Sequence, residues 1–325
     1  MRRILMLAAL VSALGANAAA QGAATLVVLN KSDNTVSFVD PQTLKVLGTA
    51  PTGNGPHEAA ASADGKRIYV ANYGDQKPGS SLSIIDAGER KELTRFELPG
   101  LVRPHGIVEA GGNIYFTAEG SAAVARFNPT RNTVDWVMGT GEPVTHMLVI
   151  TPDQRKVYTA NIAGGTVTML QLPPYQGPPR AKQIKVGQGP EGIDISPDGK
   201  ELWVAHRNDG TVSIIDTGSD QIAHTFEVGK FPIRVKFTRD GSRVLVSNAE
   251  GNDLAVVDAK TRQVVKRIPT GEVPVGILMD PNGKRAFVAA TAADKVIVVD
   301  LEKLEVTGTI QAGKTPDGMA WAGAK

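Results

Sequence analysis

Residues 189–228 read GPEGIDISPDGKELWVAHRNDGTVSIIDTGSDQIAHTFEV. Gly189-Pro190 opens an alternating run that ends at Ser196, and Pro197-Asp198-Gly199-Lys200 supplies the chemistry of a tight turn. A second β-rich run, Leu202-Trp203-Val204-Ala205-His206, leads to a turn at Asn208-Asp209-Gly210. Thr211 to Asp216 is a third run, and Ala223 to Val228 a fourth. Four short strands separated by turn residues, with period 2 rather than 3.6, make this unit β-structure.

The unit recurs. Its anchor falls at Pro56, Pro104, Thr145, Pro190, Pro232, Pro274 and Pro316, in steps of 48, 41, 45, 42, 42 and 42 residues. Four strands per unit of that length is the pattern of a propeller blade, so the chain is predicted to be an all-β, seven-bladed β-propeller with four antiparallel strands per blade. Asp64-Gly65, Asp198-Gly199, Asp240-Gly241 and Asn282-Gly283 tolerate the positive φ of tight hairpins. A polar residue closes each third strand (Asp40, Asp86, Asn128, Gln171, Asp216, Asp258, Asp300) and is read as turn structure. The ends are complementary: residues after Pro316 supply one first strand, and Thr25 to Thr52 supply a second, third and fourth. Together they close the last blade and leave no open edge.

Tyr69-Val70-Ala71-Asn72, Tyr158-Thr159-Ala160-Asn161 and Ser196-Pro197-Asp198-Gly199-Lys200 resemble the YVTN-repeat β-propeller family over essentially all of the mature chain. The resemblance implies a secreted or periplasmic seven-bladed propeller without a single family activity. Pro104-His105-Gly106-Ile107 with Ile114-Tyr115-Phe116-Thr117 resembles one repeat of the streptogramin lyases, and lactonases share the architecture.

Arg2 and Arg3 precede an apolar run from Ile4 to Leu14 and small residues through Ala20. This is the order of a cleavable secretory signal, too short to span a bilayer as a helix, so residues 1–20 are expected to be a signal peptide and 21–325 one propeller domain in the periplasm or outside the cell. Removing Arg2 and Arg3 leaves 35 − 2 = 33 Lys+Arg against 33 Asp+Glu. A neutral chain lacks the surplus cations of a nucleic-acid binder, and its neutral surface and self-closed ring suggest a monomer. The absence of Cys excludes disulfides, thiolate metal sites and c-type haem attachment. No phosphate-cradling loop, Gly-x-Ser-x-Gly elbow or His-Glu-x-x-His helix occurs, and the Gly-x-Gly pieces lead into strands, so no nucleotide is expected.

Positions made equivalent by repetition share a structural job, so differences among them point to function. The residue after the anchor runs His57, His105, His146, Glu191, Ile233, Val275, Asp317, and the second strand ends at Asn72, Ala118, Asn161, His206, Asn248, Ala290 and Asn30. Four of the five histidines fall in these two columns. Lining one channel mouth, His57, His105, His146 and Glu191 would suit one divalent transition metal, Zn, Cu, Fe, Ni or Mn. His105, His146 and Glu119 are the candidate acid–base groups, and Glu58, Glu119, His206, Arg234 and Asp317 the candidate ligand contacts. Arg234 and Glu58 stand where four other blades have Gly, and recurrent Asn at the second strand's end is read as a turn device. The insertion Gln76 to Ser81 is expected on the mouth face, and the Pro-rich run Leu172 to Pro179 opposite. Three functions remain open: a small-ligand or metal-binding propeller, a metal-assisted hydrolase or lyase acting on a lactone or cyclic ester, and an interaction platform for another envelope protein.

Overall fold

The structure, a computed structural model, describes residues 24–323; the expected signal peptide lies outside them. Seven four-stranded antiparallel sheets form the ring. Blades 1 to 6 span residues 56–97, 104–139, 145–185, 190–227, 232–269 and 274–310. Blade 7 joins Pro316–Ala322 to strands Thr25–Asn30, Thr35–Val39 and Val46–Pro51, so both ends of the described chain build one sheet, as the repeat arithmetic requires.

Hydrophobic cores lie between neighbouring blades. Tyr69 and Leu82 of blade 1 meet Phe116 and Phe127 of blade 2, and Trp203 of blade 4 meets Phe237 and Val246 of blade 5. Second and third strands are buried on both faces, which is why Leu26 to Leu29 and Ile68 to Ala71 are continuous apolar runs. Fourth strands lie at the rim and leave Leu47, Leu93, Val137 and Val265 exposed.

The turn chemistry works as read. Gly65, Gly199, Gly241 and Gly283 take φ of 67°, 73°, 71° and 73°. Asp40, Asp86, Asn128, Asp216, Asp258 and Asp300 accept backbone N–H bonds from the turns that follow them, whereas the Gln171 side chain accepts none among the described residues. The turn at Gln76 extends the hairpin of the second and third strands of blade 1 on the anchor face, and Arg103 donates to Asp75 O there. Leu172 N–H bonds Arg155 O in a turn of the opposite face, which puts the Pro-rich run there. Among the described residues no helix is long and apolar enough to cross a membrane.

Candidate functional site at the channel mouth

Each anchor pairs with the end of its blade's second strand: Pro56 with Asn72, Pro104 with Ala118, Thr145 with Asn161, Pro190 with His206, Pro232 with Asn248, Pro274 with Ala290 and Pro316 with Asn30. The residue before every anchor is left-handed. Gly55, Arg103, Val144, Gly189, Phe231, Val273 and Thr315 have φ between 54° and 66°. Their carbonyls accept the backbone N–H of Tyr73, Glu119, Ile162, Arg207, Ala249, Thr291 and Lys31 respectively. Five of these seven are not glycine, at a cost of roughly 1–2 kcal/mol each. Repetition around the whole ring makes this bend part of the architecture. It turns the residue after each anchor and the residue after each second strand toward one mouth.

Where Asn stands in this column it locks its own blade. Asn30 and Asn161 donate to hydroxyls five and seven residues on, Asn72 to Ser81 and Ser83 across the longer hairpin, and Asn248 to Asp253. These partners are side chains of the third strand, and Asn248 also reaches the backbone carbonyl of Val228 at 3.4 Å. His206 does the same job, with Nδ1 2.9 Å from Thr211 Oγ1, and it is fully buried. Burial pushes its pKa down to about 4 against the pull of Asp209, so the ring is neutral. The expectation that His206 contacts a ligand is therefore corrected: an imidazole has replaced the amide of a strand lock.

An unbroken polar chain crosses blades 1 to 4. Tyr73 Oη donates to Glu119 Oε1 at 2.5 Å, and Glu119 Oε2 lies 2.7 Å from His146 Nδ1. His146 Nε2 stands 3.5 Å from Glu191 Oε1, and Arg207 Nη1 donates to Glu191 Oε2 at 2.8 Å. Burial is the strongest single influence on His146 and opposes its charge, but Glu119 and Glu191 together raise its pKa. Burial likewise works to raise Glu191, yet His146, Arg234 and Arg207 hold it down at about 2. Burial and the bond to Glu119 push the Tyr73 phenol up to about 12.

The other arc is an ion cluster. Lys31 Nζ lies 3.0 Å from Asp317 Oδ2. Arg234 of blade 5 reaches across the channel to an ion pair with Glu58 of blade 1, and its Nη2 lies 3.8 Å from Asp317 Oδ1. Glycine dominates their column because inner strands crowd there. A Cβ on Gly318 would come 2.3 Å from His57 O, and one on Gly192 2.7 Å from Arg234 Cα. Glu58 and Arg234 are thus admitted beside Gly318 and Gly192, which give them room.

Between the arcs stand the imidazoles. His57 Nδ1 bonds Gly55 O at 2.8 Å; a carbonyl only accepts, so this nitrogen carries the proton and Nε2 keeps its lone pair. Ring centroids of His57 and His105 are 5.2 Å apart, those of His105 and His146 3.7 Å, and Tyr73 packs 4.4 Å from His57. Burial pushes His57 down to about 4 despite Asp317, and puts His105 well below the usual imidazole value, with His146 adding to the effect. His105 is 2% exposed, and its Nδ1 has no partner among the described residues.

These contacts correct the proposed metal set. His57, His105, His146 and Glu191 are neighbours, but both nitrogens of His146 face carboxylates and Glu191 is tied to Arg207. Among the described residues no three His, Asp or Glu groups are arranged to hold a metal ion. What remains is the pair His57–His105. Sequence reading missed Tyr73, Arg207 and Lys31. The signal was available, because the column after the second strand (Lys31, Tyr73, Glu119, Ile162, Arg207, Ala249, Thr291) varies as much as the histidine column.

Comparison with known proteins places these features in context. Residues 180–288, about a third of the chain, match the model of the cytochrome D1 heme domain. No curated protein sequence matches. Among solved structures, the chain is similar to Kuenenia stuttgartiensis hydrazine synthase (TM-score 0.75, 20% identity, covering 85% of this chain and 92% of that one). It is also similar to the periplasmic gluconolactonase PpgL of Pseudomonas aeruginosa (TM-score 0.75, 16% identity, 93% and 99% covered). A third is described as dihydro-heme d1 dehydrogenase NirN in complex with DHE (TM-score 0.63, 14% identity, 91% and 74% covered). At these identities the shared property is the fold. The matched segment brings no histidine to the mouth. The matched segment's two histidines are His206, sealed in its blade, and His224, on the outer strand Gln221–Glu227. At the centre, His105 and His146 pack against each other with ring centroids 3.7 Å apart.

Proposed function

We propose that this chain is a YVTN-type propeller of the cell envelope that binds one small ligand at the channel mouth, against His57, Tyr73 and His105. The carrying observation is a pair of neutral imidazoles, one with an unbonded nitrogen, set inside a ring whose carboxylates each have a cationic partner. Such a site offers hydrogen bonds without first breaking an ion pair. The envelope placement rests on the signal pattern of residues 1–20, with 21–325 as one domain.

The metal alternative uses His57 Nε2 and His105, the remaining positions being filled by water or by donors of a bound molecule. The test is titration of tag-free, chelator-treated protein with zinc or copper, alongside a small-molecule binding screen. Binding that His57→Gln and His105→Gln abolish, with unfolding unchanged, supports the reading. Binding indifferent to both substitutions, or none in either arm, sinks it.

The second reading, hydrolysis or lysis of a lactone or cyclic ester, is favoured by the Tyr73–Glu119–His146 chain. Three groups bonded in series are arranged as an acid–base system is. It ranks below binding because His146 has both nitrogens committed and His105 is a weak base at neutral pH. A platform for an envelope partner would show capture of that partner unaffected by changing all three mouth histidines.

A further inference from the structure

The mouth is two-sided. Around the ring of residues after the anchors, blades 7, 1, 2, 3 and 4 present Asp317, His57, His105, His146 and Glu191, whereas the adjacent blades 5 and 6 present Ile233 and Val275. Ile233, Val275 and Ala249 pack into one cluster with Phe231 beside it, and Val273 at the rim is 38% exposed. This apolar arc has a cation at each end. Arg207 lies over the Phe231 ring at 5.4 Å, and Lys31 stands on the other flank with Asp317.

Charge at the mouth leans positive. Lys31, Arg103, Arg207, Arg234 and protonated His146 are five cations against Glu58, Glu119, Glu191 and Asp317, four anions. Three buried polar atoms there lack hydrogen-bond partners: His105 Nδ1, the donor Arg207 Nε, and Asp317 Oδ1, which faces Arg234 Nη2 at 3.8 Å. An N–H without an acceptor calls for an oxygen.

We propose that the mouth's ligand is a small amphipathic carboxylate, its head on the His105–Arg207 side and a short apolar tail along Phe231, Ile233, Val273 and Val275. This deepens, and rests on, the binding function above.

The test is a chain-length series. Acetate, butanoate, hexanoate and octanoate are titrated into the full mature chain by calorimetry or ligand-observed NMR. The expected result is a Kd that falls with each added methylene, by up to about fourfold where the methylene is fully buried. His105→Gln should weaken every member by a common factor, while Val273→Ser and Phe231→Ala should flatten the dependence on length. Should Phe231→Ala lose its unfolding transition, Val273→Ser, at an exposed rim position, carries the test alone. Acetate binding as well as octanoate, or a slope that neither rim substitution changes, overturns the amphipathic assignment and leaves the binding function standing. Zinc or a lactone binding through His57 while no alkanoate binds has the same meaning. If no probe of any kind binds, both fall together.

Discussion

Glu58 of blade 1 and Arg234 of blade 5 form an ion pair across the central channel, each side chain nearly closed off from solvent. Arg234 also faces Asp317, so it neutralises two carboxylates at once. Removing one partner of a buried pair strands the other charge, typically at about 3–5 kcal/mol, whereas replacing both with apolar groups is often neutral. Arg234→Met should therefore lower stability by about that amount, and adding Glu58→Leu should recover much of the loss. The folded-state pKa of Glu58 is already raised and will rise further without Arg234. A raised acid binds its proton in the fold, so the Arg234→Met defect should ease as pH falls from 7 to 5. Denaturant unfolding of the double-mutant cycle at both pH values checks this. A double variant no better than Arg234→Met alone would show that the pair is not coupled.

His206→Asn should restore the lock that other blades use, since Thr211 and Ser213 stand five and seven residues on, as Thr166 and Thr168 do for Asn161. Restoring the repeat's own residue is worth about 0.5–2 kcal/mol when it helps. The imidazole, with its folded pKa near 4, costs stability as pH falls through its ordinary value and levels off below about 4. The variant should thus gain most at pH 4–5 and leave mouth binding unchanged. Thermal unfolding across pH 4–8 decides it, and a loss of stability at every pH would assign His206 a role the other blades lack.

The seven blades were legible because a repeat shows its own alignment. The same register brought His57, His105, His146, Glu191 and Asp317 to one mouth and marked Glu58 and Arg234 as departures from glycine. What it could not carry is the rotation of a side chain. Column position says that His146 faces the channel, but not that Glu119, from the next column, takes its Nδ1 and leaves no lone pair for a metal. Nor does register reveal a partner across the pore, where Glu58 and Arg234 are 176 residues apart in the chain. His206 misled for the opposite reason, since its contact is local and an imidazole serves as well as an amide.

The three mouth histidines should titrate in opposite directions. His146, raised by its two carboxylates, should stay imidazolium above the ordinary pKa, while His57 stays neutral down to about 4 and His105 stays neutral well below the usual imidazole value. The clamp on His146 contributes stability that is complete below the unfolded imidazole value and is lost as pH rises through the folded one. Glu191's share is present above the ordinary carboxylate range and is lost as pH falls toward 2. Imidazole nitrogen shifts followed by NMR from pH 4 to 9 give each ring's state. Glu119→Gln should lower the His146 value and spare His57, and a His146 that titrates unchanged in that variant would remove Glu119 from the chain.

The mouth's chemistry can be separated from its binding by comparing two substitutions. If a lactone or cyclic ester is turned over, the group touching it must have a free nitrogen, which His105 has and His146 lacks. His105→Ala should then abolish turnover, a loss of about 10²–10⁴-fold for an acid–base group, with unfolding intact. His146→Gln keeps a polar side chain between Glu119 and Glu191 but removes the charge, so it should shift the pH profile more than the maximal rate. Equal losses from both would mean that the chain from Tyr73 to Arg207 acts as one unit. Turnover that survives His105→Ala would move the chemistry away from the mouth altogether. Binding without turnover in a broad lactone screen leaves the propeller as a receptor, with the Glu119–His146–Glu191 clamp holding the neutral imidazoles in place.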